Sequence, residues 1–312
     1  MQKHKEAKLA FLEFKKYLEE IRDATVLRLE QSPNKDEGSL VENFVKAGTP
    51  DLQEDVNLSI SPSAVLGNFF IFILAGYETG ANLMANAITI LACRPDVQTA
   101  LQTEIDALVG DQSPTEQSYT ILFRKLMDGY VGALMKETMR LYTVLPFIPK
   151  SIFDSQTIVV DGEQHVLPKG TLIMINTSAL HTSPKHWPQP REDPFPGEGP
   201  PYPLSSFFPE RWIRPKDGHP NPGDYFNPPP GAYMPFGEGF RQCMGSRFAK
   251  VEFCAAIANI FRHYRVELAN GNTQEAMRDA AEKLSIGVGF GMGLKMGEPV
   301  ELKFLKRDLE AK

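Results

Sequence analysis

Cysteine is scarce in this chain, and that scarcity excludes two classes of protein. Cys93, Cys243 and Cys254 are the only three, and no two of them form a C-x-x-C pair. A disulfide-linked secreted scaffold and a structural zinc site are therefore both excluded. Positive charge is not in excess: 33 Lys and Arg against 39 Asp and Glu give a net charge of −6, too acidic for a nucleic-acid binder. Long hydrophobic runs are missing as well. The longest, 64–76, contains Asn68 and is followed by Tyr77, Glu78 and Thr79. It falls short of the roughly 20 apolar residues that cross a membrane and reads as a buried core helix. The first eight residues, MQKHKEAK, carry no apolar stretch resembling a signal peptide or anchor, so the chain by itself reads as soluble. A flavin or nicotinamide fingerprint is also lacking. The glycines of 287–293, GVGFGMG, superficially resemble a phosphate loop, but neither Lys-Ser nor a helical pattern follows them.

Helical periodicity dominates what is present. Residues 8–30 alternate Leu9, Leu12, Ile21 and Leu27 with many charges, as an amphipathic helix does. A short helix is predicted over 39–47. Ser61 and Pro62 form a natural helix start, serine as cap and proline in the first turn, for a helix of about 48 Å over 61–92. Further helices are predicted over 95–109 and, unbroken, over 122–141. Beyond Pro149 the texture turns to strand: a hairpin of 157–160 with 164–168 about Asp161 and Gly162, then a third strand at 171–175. Residues 184–230, rich in proline and aromatics, read as irregular wrapping, and 284–305 as a small β-hairpin region. With no internal repeat and no second core pattern, 1–312 reads as one mainly α domain with a small β-sheet region.

The most informative segment is 236–245, FGEGFRQCMG. It sets Cys243 in a glycine-flanked loop, with Arg241 two residues earlier and a helical pattern from Met244 onward. A side chain presented through a tight turn needs backbone free of Cβ interference, which Gly239 and Gly245 can supply. The helix N-terminus behind it and the cation beside it favour thiolate over thiol. Cys93 and Cys254 lie in apolar helical patterns and read as buried small hydrophobes. Phe236, Gly239, Arg241, Cys243 and Gly245 at these offsets should coincide by chance in roughly one chain in 10⁴ at ordinary residue frequencies.

This loop resembles the haem-ligand loop of the cytochrome P450 family, and the family's other marks follow in order along the chain. They are Ala75, Gly76, Tyr77, Glu78 and Thr79 in the long helix, Glu137 and Arg140 in a later one, and PERW at 209–212. The resemblance is to a eukaryotic member, fungal and microsomal in type, of secondary metabolism. It covers the C-terminal portion of the fold, without the N-terminal anchor and early helices of longer members.

The resemblance implies haem b held by Cys243 as axial ligand, with Arg241 on one propionate. Lys150 stands where many members place a second propionate-binding arginine. Phe236, Gly239, Gly245 and Ala75 would complete the cofactor contacts. Gly76 would open room for dioxygen beside the metal, while Thr79 and Glu78 would relay the protons that splitting O–O requires. Glu137, Arg140 and Arg211 would form a structural triad bracing the cysteine loop. Trp212 stands where phenylalanine is more usual. Leu145, Phe147 and Ile148 would make an apolar pocket wall, and His181 a local brace near the haem edge.

The implied activity is oxygen insertion from O2 into an apolar organic substrate. Electrons would come from NADPH through a separate NADPH-cytochrome P450 reductase, docking at Arg247 and Lys250. The implied setting is the cytosolic face of the endoplasmic reticulum. Two other readings stay open at this point: a haem-thiolate isomerase or dehydratase, against which Glu78 and Thr79 weigh, and a chain that does not enclose haem.

Overall fold

A computed structural model describes residues 2–31, 39–52, 59–109, 116–187, 207–213, 226–285 and 296–308. By internal contacts the chain forms two compact units, Met1–Tyr77 and Glu78–Lys312.

The first unit holds α1 (Gln2–Gln31), α2 (Leu40–Gly48) and the opening turns of α3 (Pro62–Cys93). α2 begins with a capping box: the Ser39 hydroxyl accepts from the Glu42 N–H, and the Glu42 carboxylate accepts from the Ser39 N–H. α3 begins at Ser61, whose hydroxyl accepts from the Ala64 N–H at 3.2 Å. Leu18, Leu29, Val45, Val65 and Phe69 form the core of this unit. Of residues 64–76, only Val65 and Phe69 are buried, while Ile71, Ile73 and Leu74 are exposed, which corrects the reading of this run as buried core. Apolar side chains surround the helix here, and packing covers a single stripe of them. Among the described residues α3 is the one helix long and apolar enough to cross a membrane, judged by length and composition.

The second unit holds the rest of α3, α4 (Pro95–Val109), α5 (Glu116–Asp128), α6 (Tyr130–Leu141), α7 (Thr177–Thr182), α8 (Ser246–His263) and α9 (Gln274–Ser285). Leu83, Ala87, Ile90 and Leu91 of α3 share its core with Leu101 and Ile105 of α4, Leu134 and Met135 of α6, and Phe253, Ile257 and Phe261 of α8. Each large side chain so buried stabilises the fold by about 1.5–3 kcal/mol before conformational entropy is subtracted.

Helix 122–141 does not run through. It breaks into α5 and α6 at Gly129, where the Glu104 carboxylate accepts from the Tyr130 N–H at 2.7 Å and caps the new start. No proline marks this break. Instead Gly132 lets α6 pass over the end of α5, since a Cβ there would lie 2.0 Å from the Met127 carbonyl oxygen.

The strands form three two-stranded antiparallel sheets among the described residues. β2 (Gln156–Val160) and β3 (Glu163–Leu167) make the hairpin, with Asp161 and Gly162 both at positive φ as a type I′ turn requires. The expected third strand, β4 (Leu172–Asn176), pairs with β1 (Phe147–Ser151) instead of extending the hairpin. Likewise β6 (Leu302–Lys306) pairs with β5 (Tyr264–Leu268), not within 284–305, part of which is helical as the end of α9. The glycine run 287–293 lies outside the described residues.

Gly132→Ala should destabilise the protein by about 1–3 kcal/mol or more, because the obstacle is a backbone carbonyl that cannot rotate away. A urea unfolding midpoint equal to that of the parent chain would contradict this close approach.

Candidate functional site

Cys243 is the one exposed cysteine of the three. Burial pushes the thiols of Cys93 and Cys254 up to about 12, so neither is available as an anionic ligand. The loop that presents Cys243 is closed by its own backbone. The Gly237 N–H donates to Met234, the Gln242 N–H to Gly239, and the Cys243 N–H to the Phe236 carbonyl at 2.8 Å. Gly237 and Gly239 hold φ of 69° and 77°, which a side chain disfavours. Gly245 does not share this requirement: its φ is −80°, and a Cβ there would meet only the Cys243 Sγ, at an ordinary 3.8 Å. Gly237 is thus the second glycine on which the turn depends, and sequence reading passed over it. α8 starts immediately behind the sulfur, with Gly245 as its N-cap.

Strand β1 lies against this loop. The Lys150 ammonium donates to the Glu238 carbonyl at 3.5 Å, and Ile148 approaches Gly237 from the same strand. The Lys250 ammonium sits 5.6 Å from the centre of the half-buried Phe236 ring, a cation–π contact that turns it toward the loop, while Arg247 stays exposed. Arg241, Phe240, Met244 and Phe248 are also exposed, as are Leu145 and Phe147.

Ala75 and Gly76 belong to the first unit, Glu78 and Thr79 to the second. A Cβ at Gly76 would meet nothing within 4 Å. Glu78 and Thr79 are half-buried. One residue on, a Cβ at Gly80 would lie 3.4 Å from Glu252 of α8, so this part of α3 runs beside the helix that follows the cysteine.

Glu137, Arg140 and Arg211 are brought together in the interior. Arg140 grips the Glu137 carboxylate with two hydrogen bonds of 2.9 and 2.8 Å, and the Arg211 Nε adds a third at 3.2 Å. Two further donors were not foreseen: the Trp212 indole N–H at 2.8 Å and the Phe208 N–H at 3.1 Å. Trp212, read from sequence as a mild departure, uses the one donor that phenylalanine lacks. Burial by itself would raise the Glu137 carboxyl. The Arg140 charge and hydrogen bonds, then Arg211 and the Phe208 N–H, outweigh it and hold the group below its ordinary value.

His181, on α7, is fully buried between α6 and the segment leading into the cysteine loop. Its Nε2 accepts from the Met234 N–H at 3.0 Å, while its backbone carbonyl accepts from Arg140 at 3.2 Å. Burial pulls the imidazole down to about 4, partly opposed by the Met139 carbonyl and reinforced by the Arg140 charge.

The cytochrome P450 family model matches residues 1–287, and the chain belongs to the cytochrome P450 family. The mainly helical architecture with small antiparallel sheets agrees with that fold. Cytochrome P450 monooxygenase prx9 of Penicillium rubens is 29% identical over 304 residues, covering 91% of this chain and 50% of that protein. Cytochrome P450 monooxygenase ORF6 of Penicillium roqueforti is 28% identical over 304 residues, with the same coverage of each chain. Cytochrome P450 3A13 of Mus musculus is 33% identical over 209 residues, 67% of this chain and 35% of that protein. The chain spans about half the length, or less, of these relatives.

Removing the Glu137 charge, as in Glu137→Gln, takes from two buried guanidinium groups the carboxylate they share and should cost about 3–5 kcal/mol in urea unfolding. A loss under 1 kcal/mol would show the cluster to be solvated. A second outcome concerns pH. The His181 imidazole takes up its proton near 6.5 when unfolded and near 4 when folded. Its contribution to stability is therefore complete above pH 6.5 and declines as pH falls toward 4, by roughly 3 kcal/mol in all. His181→Gln should flatten that part of the stability–pH curve, and an unchanged slope would contradict the assignment.

Proposed function

We propose that this chain carries the haem-ligating part of a cytochrome P450 monooxygenase, with the Cys243 thiolate as axial ligand of haem b. One observation carries the reading: of three cysteines, only Cys243 is exposed, and it stands at the N-terminus of α8 in a turn set by Gly237 and Gly239. The donor set fits the cofactor. The sulfur is accessible, and Arg241 and Lys150 are cations suited to two propionates. When bound, haem supplies activation of O2 for insertion of one oxygen atom into a C–H or double bond of an apolar organic substrate.

The protein's own residues do the rest. Cys243 holds the iron. Arg241 and Lys150 anchor the carboxylates, Lys150 as a point charge where an arginine would form a fork. Glu78 and Thr79 would hold water and pass protons, with Ala75 and Gly76 leaving room beside them. Leu145, Phe147 and Ile148 offer the substrate an apolar wall. Glu137, Arg140 and Arg211 keep the ligand loop in place without touching the reaction. Electrons reach the site from NADPH through a separate cytochrome P450 reductase, for which Arg247 is the exposed cation beside the ligand loop. We assign the whole of 1–312 to one haem domain, acting at the cytosolic face of the endoplasmic reticulum, by analogy with the family.

Purified chain mixed with haem, reduced and exposed to carbon monoxide, should give a thiolate-type absorption band that Cys243→Ser abolishes. Haem taken up with the same band in both proteins would remove Cys243 as ligand, and no uptake by the parent chain would favour the reading in which it does not enclose haem.

A further inference from the structure

We propose that His181 is a positioning residue for the ligand loop, carrying the hold of the Glu137–Arg140 pair onto the turn that presents Cys243. This rests on the reading of Cys243 as haem ligand. The path is a continuous series of hydrogen bonds. Glu137 fixes Arg140, and Arg140 donates to the His181 carbonyl at 3.2 Å. Through its ring, His181 accepts from the Met234 N–H at 3.0 Å. The Met234 carbonyl accepts from the Gly237 N–H at 3.0 Å, and the neighbouring Phe236 carbonyl accepts from the Cys243 N–H at 2.8 Å. The ring therefore joins a helix to an otherwise irregular segment, and the far end of that segment is the backbone amide of the ligand itself.

The chemistry of the ring suits this task. An imidazole that accepts at Nε2 must be neutral and carry its proton on Nδ1. Full burial favours that neutral form, and the adjacent Arg140 charge favours it further. The ring is also fixed sideways by the Tyr233 ring, with centroids 5.1 Å apart, and the Tyr233 hydroxyl donates to the Lys136 carbonyl of α6 at 2.9 Å. Tyr233 immediately precedes Met234, so both the side-chain contact and the hydrogen bond hold the same two residues of the loop's entry. Removing the acceptor leaves the Met234 N–H unpaired and frees the start of the turn.

The test compares His181→Phe, which keeps a ring and removes the acceptor, with His181→Gln, whose amide oxygen restores one. In the chain without haem, amide hydrogen exchange at Met234, Gly237 and Cys243 should be about ten-fold or more faster in His181→Phe. His181→Gln should return it toward the parent rate, and α8 core amides should change in neither. With haem and carbon monoxide, His181→Phe should lose part of the thiolate-type band to a displaced-ligand form, and His181→Gln should recover it. Parent-like exchange at Gly237 and Cys243 in His181→Phe would overturn the proposal, as would failure of His181→Gln to rescue. If His181→Phe does not fold, His181→Leu takes its place as the acceptor-free variant under the same expectations. Absence of haem uptake by the parent chain would overturn the reading of Cys243 and leave the exchange comparison to decide the role of His181.

Discussion

The Glu137 carboxylate is wholly buried, and five donors converge on it: two from Arg140 and one each from Arg211, Trp212 and the Phe208 backbone. A buried charge is costly unless its lone pairs are filled, and a half-filled cluster is worse than an apolar core. Filling this one draws two pieces of chain together. α6 contributes Glu137 and Arg140, and residues 208–212 contribute the Phe208 amide, Arg211 and Trp212. The Arg140 guanidinium also lies over the Trp187 ring at 5.1 Å, which closes the cluster on another side. The segment 226–245 is attached to this cluster at its entry, where the Phe226 N–H donates to the Arg211 carbonyl at 2.8 Å, and again at Tyr233 and Met234, which bond to the Lys136 carbonyl of α6 and the His181 ring.

The proposed chemistry of the site draws on that attachment. On the proposed reading a cysteine ligand must be exposed and held in place, and here the two conditions come from different sources. Exposure comes from the positive-φ turn at Gly237 and Gly239. The proposed hold on the loop runs from the Glu137 cluster through His181. The two buried cysteines show the contrast: the same side chain inside the core is a neutral, inert filler.

Legibility in the sequence followed the range of the interaction. Local signals read correctly: Ser61 and Pro62 start α3, and Asp161 with Gly162 turns the β2–β3 hairpin, because each is settled by atoms within a few residues. Partnerships between distant segments did not. The pairing of β1 with β4 and of β5 with β6 depends on tertiary packing that alternation of residue types cannot reveal. The break at Gly129 was hidden because the apolar period continues across it, and the cap comes from Glu104 on another helix. The run 64–76 looked like core because hydrophobicity alone does not say which stripe of a helix finds a partner. In the site, a glycine-turned loop holding Cys243 ahead of a helix was legible. Gly237 was hidden among neighbouring glycines, and the donor from Trp212 required knowing what lay opposite it.

X-ray absorption at the iron edge of the haem-loaded chain addresses the sulfur directly, since it reports which atoms surround the metal. One sulfur neighbour alongside the porphyrin nitrogens, replaced by oxygen or nitrogen when Cys243 is changed to serine, is the expected result. A first shell of nitrogen and oxygen alone in the unaltered chain would contradict ligation by Cys243.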